Sequence, residues 1–199
     1  KEIAYRLVSA AQEVLPLASK ELMGQAVLKH ECATIGLPFW KLTEEHLKQT
    51  DEGIKHWQAE LEKLPVNPID AAYSNAYSHV KYYERVLAFH EQQNTHQAFE
   101  TEIHIVRLGP IAFATNRFEL LLDFGQRIKT RSKAMQTFLV QLTGEGYYLP
   151  PARACRGGYG VSPMDGPVGP EGGNHLVEET LTRINGMFEK SLNFYTDRF

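Results

Sequence analysis

Glu119 is the residue whose position most suggests chemistry. It lies in the stretch ATNRFELLLDFGQRIKTRS, residues 114–132, between a short apolar run and an amphipathic helical pattern. Open α/β sheets bind ligands at the carboxyl ends of their strands, so a carboxylate at this junction could hold a ligand. However, Asn116 precedes Glu119 by three residues, which is the spacing of a capping box at a helix N-terminus. The local sequence leaves both interpretations open, a ligand-holding carboxylate and a helix cap.

A second candidate region is the glycine- and proline-rich segment between Thr143 and Asn174. Glycine and proline favour loops for conformational reasons alone, so a flexible surface connection is one interpretation. A binding loop is the other, because long loops are commonly functional and this one ends near Asn174, at a predicted helix N-terminus that could stabilise an anion. Ser162 lacks the GxSxG context of a nucleophile and is interpreted as a turn residue. The segment also carries aromatic and cationic side chains, which are Tyr147, Tyr148, Arg153, Arg156 and Tyr159.

The histidines and cysteines show no familiar ligand spacing. The eight histidines include no HExxH motif, and the two cysteines are far apart and form no CxxC pair. We therefore predict neither a disulfide framework nor a thiolate zinc knuckle. The pairings that the sequence does offer are His30 with Glu31 and Glu102 with His104.

The elements that must position these residues alternate between helices and strands. Helical apolar spacing is predicted over residues 2–19, 43–64 and 67–93, and the second and third of these helices should form a hairpin. The β-branched run before Gly36 predicts a strand, and residues 99–105 alternate between apolar and polar side chains as a half-covered strand does. A short strand (IAFAT), a helix to about Thr130 and a buried central strand (MQTFLVQL) should follow. A final helix is predicted in HLVEETLTRINGMF.

These elements predict one α/β domain over residues 1–199, with a mixed sheet flanked by helices, an N-terminal helical hairpin and a long Gly/Pro-rich loop. The 199 residues, 43% of them hydrophobic, suffice for an ordinary core, and the formal net charge is only −3. That charge gives no basic excess for nucleic acid, and no apolar run approaches the roughly 20 residues of a membrane span. We expect a soluble protein that binds no nucleic acid and has no transmembrane segment.

Three stretches, in this order, resemble the second half of the catalytic domain of the neutral, non-lysosomal ceramidase family. They are RLGPIAFATNRFELLLDFGQRIKTRS, QTFLVQLTGEGYYLPPARACRGGYG and GPEGGNHLVEETL. The similarity extends from about Ile103 to Phe188, whereas the first hundred residues match only in general helical character. No single stretch is specific for this family, but the order of the three stretches is.

The resemblance implies a zinc-dependent hydrolase of an N-acyl amide such as ceramide. Family members hold zinc with two histidines, a glutamate and a tyrosine, and the last two correspond to Glu119 and Tyr159. The two histidines and the catalytic loop belong to the first half of the family's domain, for which this chain has no counterpart. The resemblance thus implies that the chain is the C-terminal half of a split or truncated enzyme. Its implied partners are the missing N-terminal half and an N-acyl lipid substrate.

Because two oxygen ligands fall short of the three protein ligands typical of catalytic zinc, we expect the isolated chain to bind no zinc tightly and to be inactive. The chain begins at Lys1, already within a helical pattern, which is what an excised piece would show. The compartment stays open, with a secreted or periplasmic parent protein as one option. The alternative function is a non-catalytic interaction or scaffold domain, in which Glu119 only caps its helix.

Overall fold

The computed structural model of the chain describes residues 1–20, 22 and 24–189. Within these ranges the helices and strands follow in the order α1 (Glu2–Ala18), β1 (Leu28–Leu37), α2 (Glu44–Glu62), α3 (Ala71–Thr95), β2 (Phe99–Leu108), β3 (Ile111–Thr115), β4 (Glu119–Leu120), α4 (Leu122–Arg131), β5 (Gln136–Val140), β6 (Tyr148–Leu149) and α5 (Pro170–Glu189). A short 3₁₀ turn at Ala152–Ala154 follows β6.

The main sheet has the strand order β1-β2-β3-β5 and contains both antiparallel and parallel pairs. β1, β2 and β3 pair antiparallel, and β5 pairs parallel to β3 across the crossover helix α4. The prediction of a mixed sheet flanked by helices is therefore confirmed, as is the strand–helix–strand unit. The prediction that MQTFLVQL forms a central strand is wrong, because β5 lies at the edge of the sheet and is only partly buried.

One face of the sheet carries the core. The predicted alternation in β2 is confirmed, since its odd-numbered residues are buried from Phe99 to Arg107 and its even-numbered residues are not. The helices α4 and α5 pack on this inner face and on each other. The largest completely buried side chains are Phe118, Phe124, Leu37, Ile103 and Ile105.

The other face of the sheet, called here the open face, is largely exposed. Its β3–β5 side is apolar, with the Phe113 and Phe138 rings stacked at 5.0 Å and the side chains of Phe138 and Val140 both more than 40% exposed. Its β1–β2 side is polar and carries His30, Cys32, Glu102 and His104. An α/β sheet with parallel strands is normally covered on both faces, so the apolar side of the open face is unusual.

The helices α2 and α3 form the predicted hairpin. Thr43 caps α2 as predicted, in a capping box completed by the His46 side chain.

The predicted start of α3 after Asn67 is wrong, because Asp70 is the cap and its carboxylate accepts from the backbone N–H groups of Ala72 and Tyr73. Asn67 instead forms the preceding turn, in which its side chain accepts from the N–H of Ile69.

Gln93, in α3, connects this hairpin by hydrogen bonds to the segment that follows β1. Its side-chain oxygen accepts from the N–H of Leu42 (3.1 Å), and its side-chain nitrogen donates to the carbonyl of Trp40 (2.8 Å). The Gln93 side chain is itself buried. Replacing Gln93 by Leu keeps the volume but leaves both backbone groups without their partner.

We expect Gln93→Leu to lower the free energy of unfolding by about 2 kcal/mol, since an unsatisfied buried polar group costs about 1–3 kcal/mol and both groups here are only partly buried. Denaturant unfolding of Gln93→Leu and of the matched control Gln92→Leu, at an exposed neighbouring position, measures this. Equal midpoints for the two variants would show that the Gln93 bridge contributes nothing.

The helix predicted over residues 2–19 is confirmed as the amphipathic α1, which continues past Pro16 to Ala18. None of its residues is buried, and its large apolar side chains, including Ile3, Leu7 and Leu15, are mostly exposed. Among the helices that the structure describes, none is both long and apolar enough to cross a bilayer.

Candidate functional site

Glu119 lies in a strand and does not cap a helix. α4 begins three residues later at Leu122, and its N-cap residue, Leu121, makes no side-chain capping hydrogen bond. The Asn116 side chain accepts from the N–H of Phe118, closing a local turn. The capping-box interpretation is therefore wrong, because the Glu119 N–H donates to the carbonyl of Tyr147 (2.9 Å) and the backbone stays extended.

The pairing of β4 with β6 fixes the direction in which Glu119 points. The two strands run parallel, with Glu119 opposite Tyr148 and Leu120 opposite Leu149. Leu120 and Leu149 are buried, and side chains alternate along a strand, so Glu119 and Tyr148 stand together on the outer side. The Leu121 N–H donates to the carbonyl of Leu149 (3.2 Å) and extends the pairing by one residue.

Tyr159 reaches the same place from the glycine-rich loop. Its ring meets the Tyr148 ring edge-on, with the centroids 5.3 Å apart, and its side chain is 86% exposed. The next residue, Gly160, has φ +70°, and a Cβ there would lie 2.6 Å from Cγ of Tyr148. Only glycine accommodates both the left-handed backbone and this close approach, so Gly160 positions Tyr159 beside Tyr148.

Tyr148 is consequently flanked by both residues that the resemblance assigns to zinc. The pKa of its phenol is raised, first by loss of hydration and then by the Glu119 carboxylate and by Tyr159. A tyrosine phenol is protonated near neutral pH even without such a shift, so the Tyr148 hydroxyl can act as a hydrogen-bond donor to its neighbours.

The remaining loop residues have different roles. Tyr147 is buried and packs edge-on against Phe89 and Phe99, so it serves the core. Arg153 pairs with Asp123 in the first turn of α4 (2.8 Å), which ties the loop to the helix that follows Glu119. Arg156 is exposed.

Two predictions about the end of the loop have different outcomes. α5 begins at Pro170, a residue well suited to the first turn of a helix, so Asn174 lies inside the helix and the predicted anion site at Asn174 is wrong. The Asn174 side chain instead accepts from Arg127 (2.6 Å). Ser162 is confirmed as a turn residue, because its N–H donates to Asp165 and its hydroxyl accepts from the N–H of Met164.

Glu119 and Tyr159 are side chains of types that can bind zinc, but two ligands are too few for a complete zinc site. A carboxylate and a phenol are both oxygen donors, and each of the two residues adjoins Tyr148. Catalytic zinc, however, is typically held by three protein ligands. The pair therefore fits as part of a zinc site that needs further ligands.

A second group of ligand-type side chains lies on the open face, and the sequence predicted only one pair within it. The predicted pairing of Glu102 with His104 is confirmed, with His104 Nε2 2.9 Å from Glu102 Oε1. The pairing of His30 with Glu31 is wrong, since neighbouring strand residues point to opposite faces: His30 contacts His104, and Glu31 meets Arg183. Cys32 completes the group, with Sγ 3.8 Å from His104 Nε2.

The charges in this group influence one another. The pKa of the Glu102 carboxyl is lowered by its hydrogen bond to His104 and next by the Cys32 thiol. The pKa of the Cys32 thiol is raised, first by loss of hydration and then by Glu102. The signal that could have revealed the group is the pair of alternating motifs HxC and ExH, each of which puts its two ligands on the same face of a strand.

Comparison with known protein families, with curated proteins and with solved structures found no match for this chain. Functional conclusions therefore rest on the geometry of these two groups of residues and on the resemblance described above.

Proposed function

We propose that this chain is part of a zinc-dependent hydrolase of N-acyl amides, of the ceramidase-like kind, and that it supplies two of the zinc ligands, Glu119 and Tyr159. The observation that carries the proposal is that both residues flank Tyr148: Glu119 through the β4–β6 pairing, and Tyr159 through the contact between the two rings. In addition, the Glu119 carboxylate does not cap α4, the helix that follows it.

When bound, zinc supplies Lewis acidity and lowers the pKa of a coordinated water to about 7. Glu119 would provide an anionic oxygen, and Tyr159 a phenol oxygen whose ionised form a cation favours. Tyr148, protonated near neutral pH, would donate a hydrogen bond that orients either neighbour. The amide substrate would be split into a fatty acid and an amine.

The proposal requires a second part of the same protein, an N-terminal half that supplies the remaining ligands. Two observations support it. The donor set at Glu119 and Tyr159 is incomplete for catalytic zinc. In addition, the apolar side of the open face, with Phe113, Phe138 and Val140, is the kind of surface that another layer of a larger domain covers.

The experiment compares the 199-residue chain with the complete protein, meaning this chain together with the N-terminal half that the proposal requires. Both are incubated with zinc and a fluorescent ceramide analogue, and release of the fatty acid is followed. We expect hydrolysis by the complete protein and none by the chain alone. A complete protein that binds zinc but leaves the amide intact would refute the proposal.

A second candidate is a non-catalytic interaction domain. The observation that favours it is α1, whose apolar side chains are exposed along the helix and are therefore free to contact a partner. In that case the complete protein would be inactive in the same assay, and substitution of Glu119 would change no measurable property.

A further inference from the structure

The β1–β2 ladder brings three different metal-ligand side chains together on the polar side of the open face. Cys32 stands directly opposite His104 in the antiparallel register, and Glu102 is two residues from His104 on the same strand and face. One ligand atom from each residue lies within 4.8 Å of the other two. All three residues are held by regular strands, so their positions are determined by backbone pairing rather than by a loop.

The distances within this cluster approach those of a tetrahedral site. Bond lengths of about 2.0–2.3 Å to nitrogen, oxygen and sulfur imply separations of roughly 3.3–3.8 Å between neighbouring ligand atoms. Sγ of Cys32 and Nε2 of His104 are 3.8 Å apart, which is within this range. Nε2 of His104 and Oε1 of Glu102 are 2.9 Å apart, a hydrogen-bond distance that a change in side-chain torsion can open by the few tenths of an ångström required.

His30 supports His104 from the opposite side. Its Nε2 lies 2.9 Å from Nδ1 of His104, and the two rings are parallel. If His104 donates its Nδ1 hydrogen to His30, the lone pair of Nε2 is directed at Cys32 and Glu102. Histidines that bind metal ions almost always donate their other ring N–H to an acceptor, usually a carboxylate, a backbone carbonyl or water, which fixes the tautomer and the ring orientation. Here Nε2 of His30 would be that acceptor.

We propose that Cys32, Glu102 and His104 bind a zinc ion, with His30 as the positioning residue of His104. A thiolate, an imidazole and a carboxylate are the three kinds of side chain that bind zinc in proteins, whereas Mg²⁺ and Ca²⁺ prefer oxygen ligands alone. The cluster is at the surface, so solvent can take the fourth position. This site is independent of Glu119 and Tyr159 and does not rest on the proposed hydrolase function.

Cobalt titration of the purified 199-residue chain tests the site, because Co²⁺ replaces Zn²⁺ in tetrahedral sites and a cobalt–thiolate bond gives a charge-transfer absorption band. We expect one Co²⁺ per chain, a thiolate band, and displacement of the cobalt by one equivalent of Zn²⁺. Cys32→Ser should abolish the band. Cys155→Ser is the matched control and should leave it unchanged, since Cys155 lies in the loop after β6, where its thiol bonds to the carbonyl of Pro151.

Two further variants separate the roles. His30→Ala should weaken binding about 10- to 100-fold without removing the band, as expected for a residue that only orients a ligand. Glu119→Gln should leave cobalt binding unchanged, so this test and the hydrolase test can fail separately. The proposal is overturned if no thiolate band forms, if the band survives in Cys32→Ser, or if Cys155→Ser removes it. Cys32 is exposed, so the serine variant should fold normally, which circular dichroism checks.

Discussion

Replacement of Glu119 by Gln should lower amide hydrolysis by the complete protein about 100-fold or more. The amide group has nearly the same shape as the carboxylate but lacks its negative charge, so it stabilises a cation far less. Loss of a residue that merely orients a metal ligand costs about 10- to 100-fold, and loss of a ligand itself should cost at least as much. The Glu119 side chain is exposed, and its strand is held by backbone hydrogen bonds, so we expect the free energy of unfolding to stay the same.

Tyr159→Phe should also reduce amide hydrolysis, because it removes the phenol oxygen while preserving the ring contact with Tyr148. Glu171→Gln and Tyr5→Phe are matched controls, since both residues are exposed and belong to other elements. The readout is kcat/KM at saturating zinc, together with the midpoint of denaturant unfolding. Full activity in either site variant would exclude that residue as a zinc ligand.

Removal of the Phe124 ring should have the largest effect on stability. Phe124 is completely buried in the first turn of α4, and a Cβ added at Gly173 of α5 would lie 2.3 Å from its Cζ atom. The ring thus fills the space that the glycine leaves and joins the two helices that cover the sheet. We expect Phe124→Ala to lower the free energy of unfolding by about 3–5 kcal/mol, the range for deleting a buried aromatic side chain.

Phe138→Ala is the control for this prediction, because the Phe138 ring is 44% exposed on the open face. It should cost clearly less than Phe124→Ala in urea unfolding. If Phe124→Ala does not fold at all, Phe124→Leu provides a milder truncation that should still be more costly than Phe138→Ala. Equal losses at the two positions would mean that the α4–α5 contact is not the main part of the core.

The fold could be predicted where one face of an element is buried and the other exposed. β2 shows this best, because its buried and exposed residues alternate as the sequence does. β5 was misassigned as a central strand because its apolar residues occupy both faces, Leu139 on the covered face and Phe138 and Val140 on the open one. A sequence cannot distinguish a covered face from an open one. The start of α3 was predicted too early because Asn67 and Asp70 are both good N-cap residues, and only the folded chain selects between them.

The candidate site could be predicted only in part, because its contacts join distant segments. Asn116 and Glu119 have the spacing of a capping box, but the partner that decides the backbone of Glu119 is Tyr147, 28 residues later. The cluster around Cys32 is hidden in the same way, since Cys32 and His104 meet only through the register of β1 with β2. Spacing along the chain reveals ligands that share one element, not ligands from two strands.

The claim that Glu119 and Tyr159 share a zinc ion is tested most directly by anomalous X-ray scattering at the zinc edge, from crystals of the complete protein grown with zinc. We expect an anomalous peak roughly 2.0–2.2 Å from both a carboxylate oxygen of Glu119 and the phenol oxygen of Tyr159. A peak at Cys32, Glu102 and His104 belongs to the second site and does not bear on this claim. Crystals with zinc bound elsewhere, and no anomalous density shared by Glu119 and Tyr159, would contradict it.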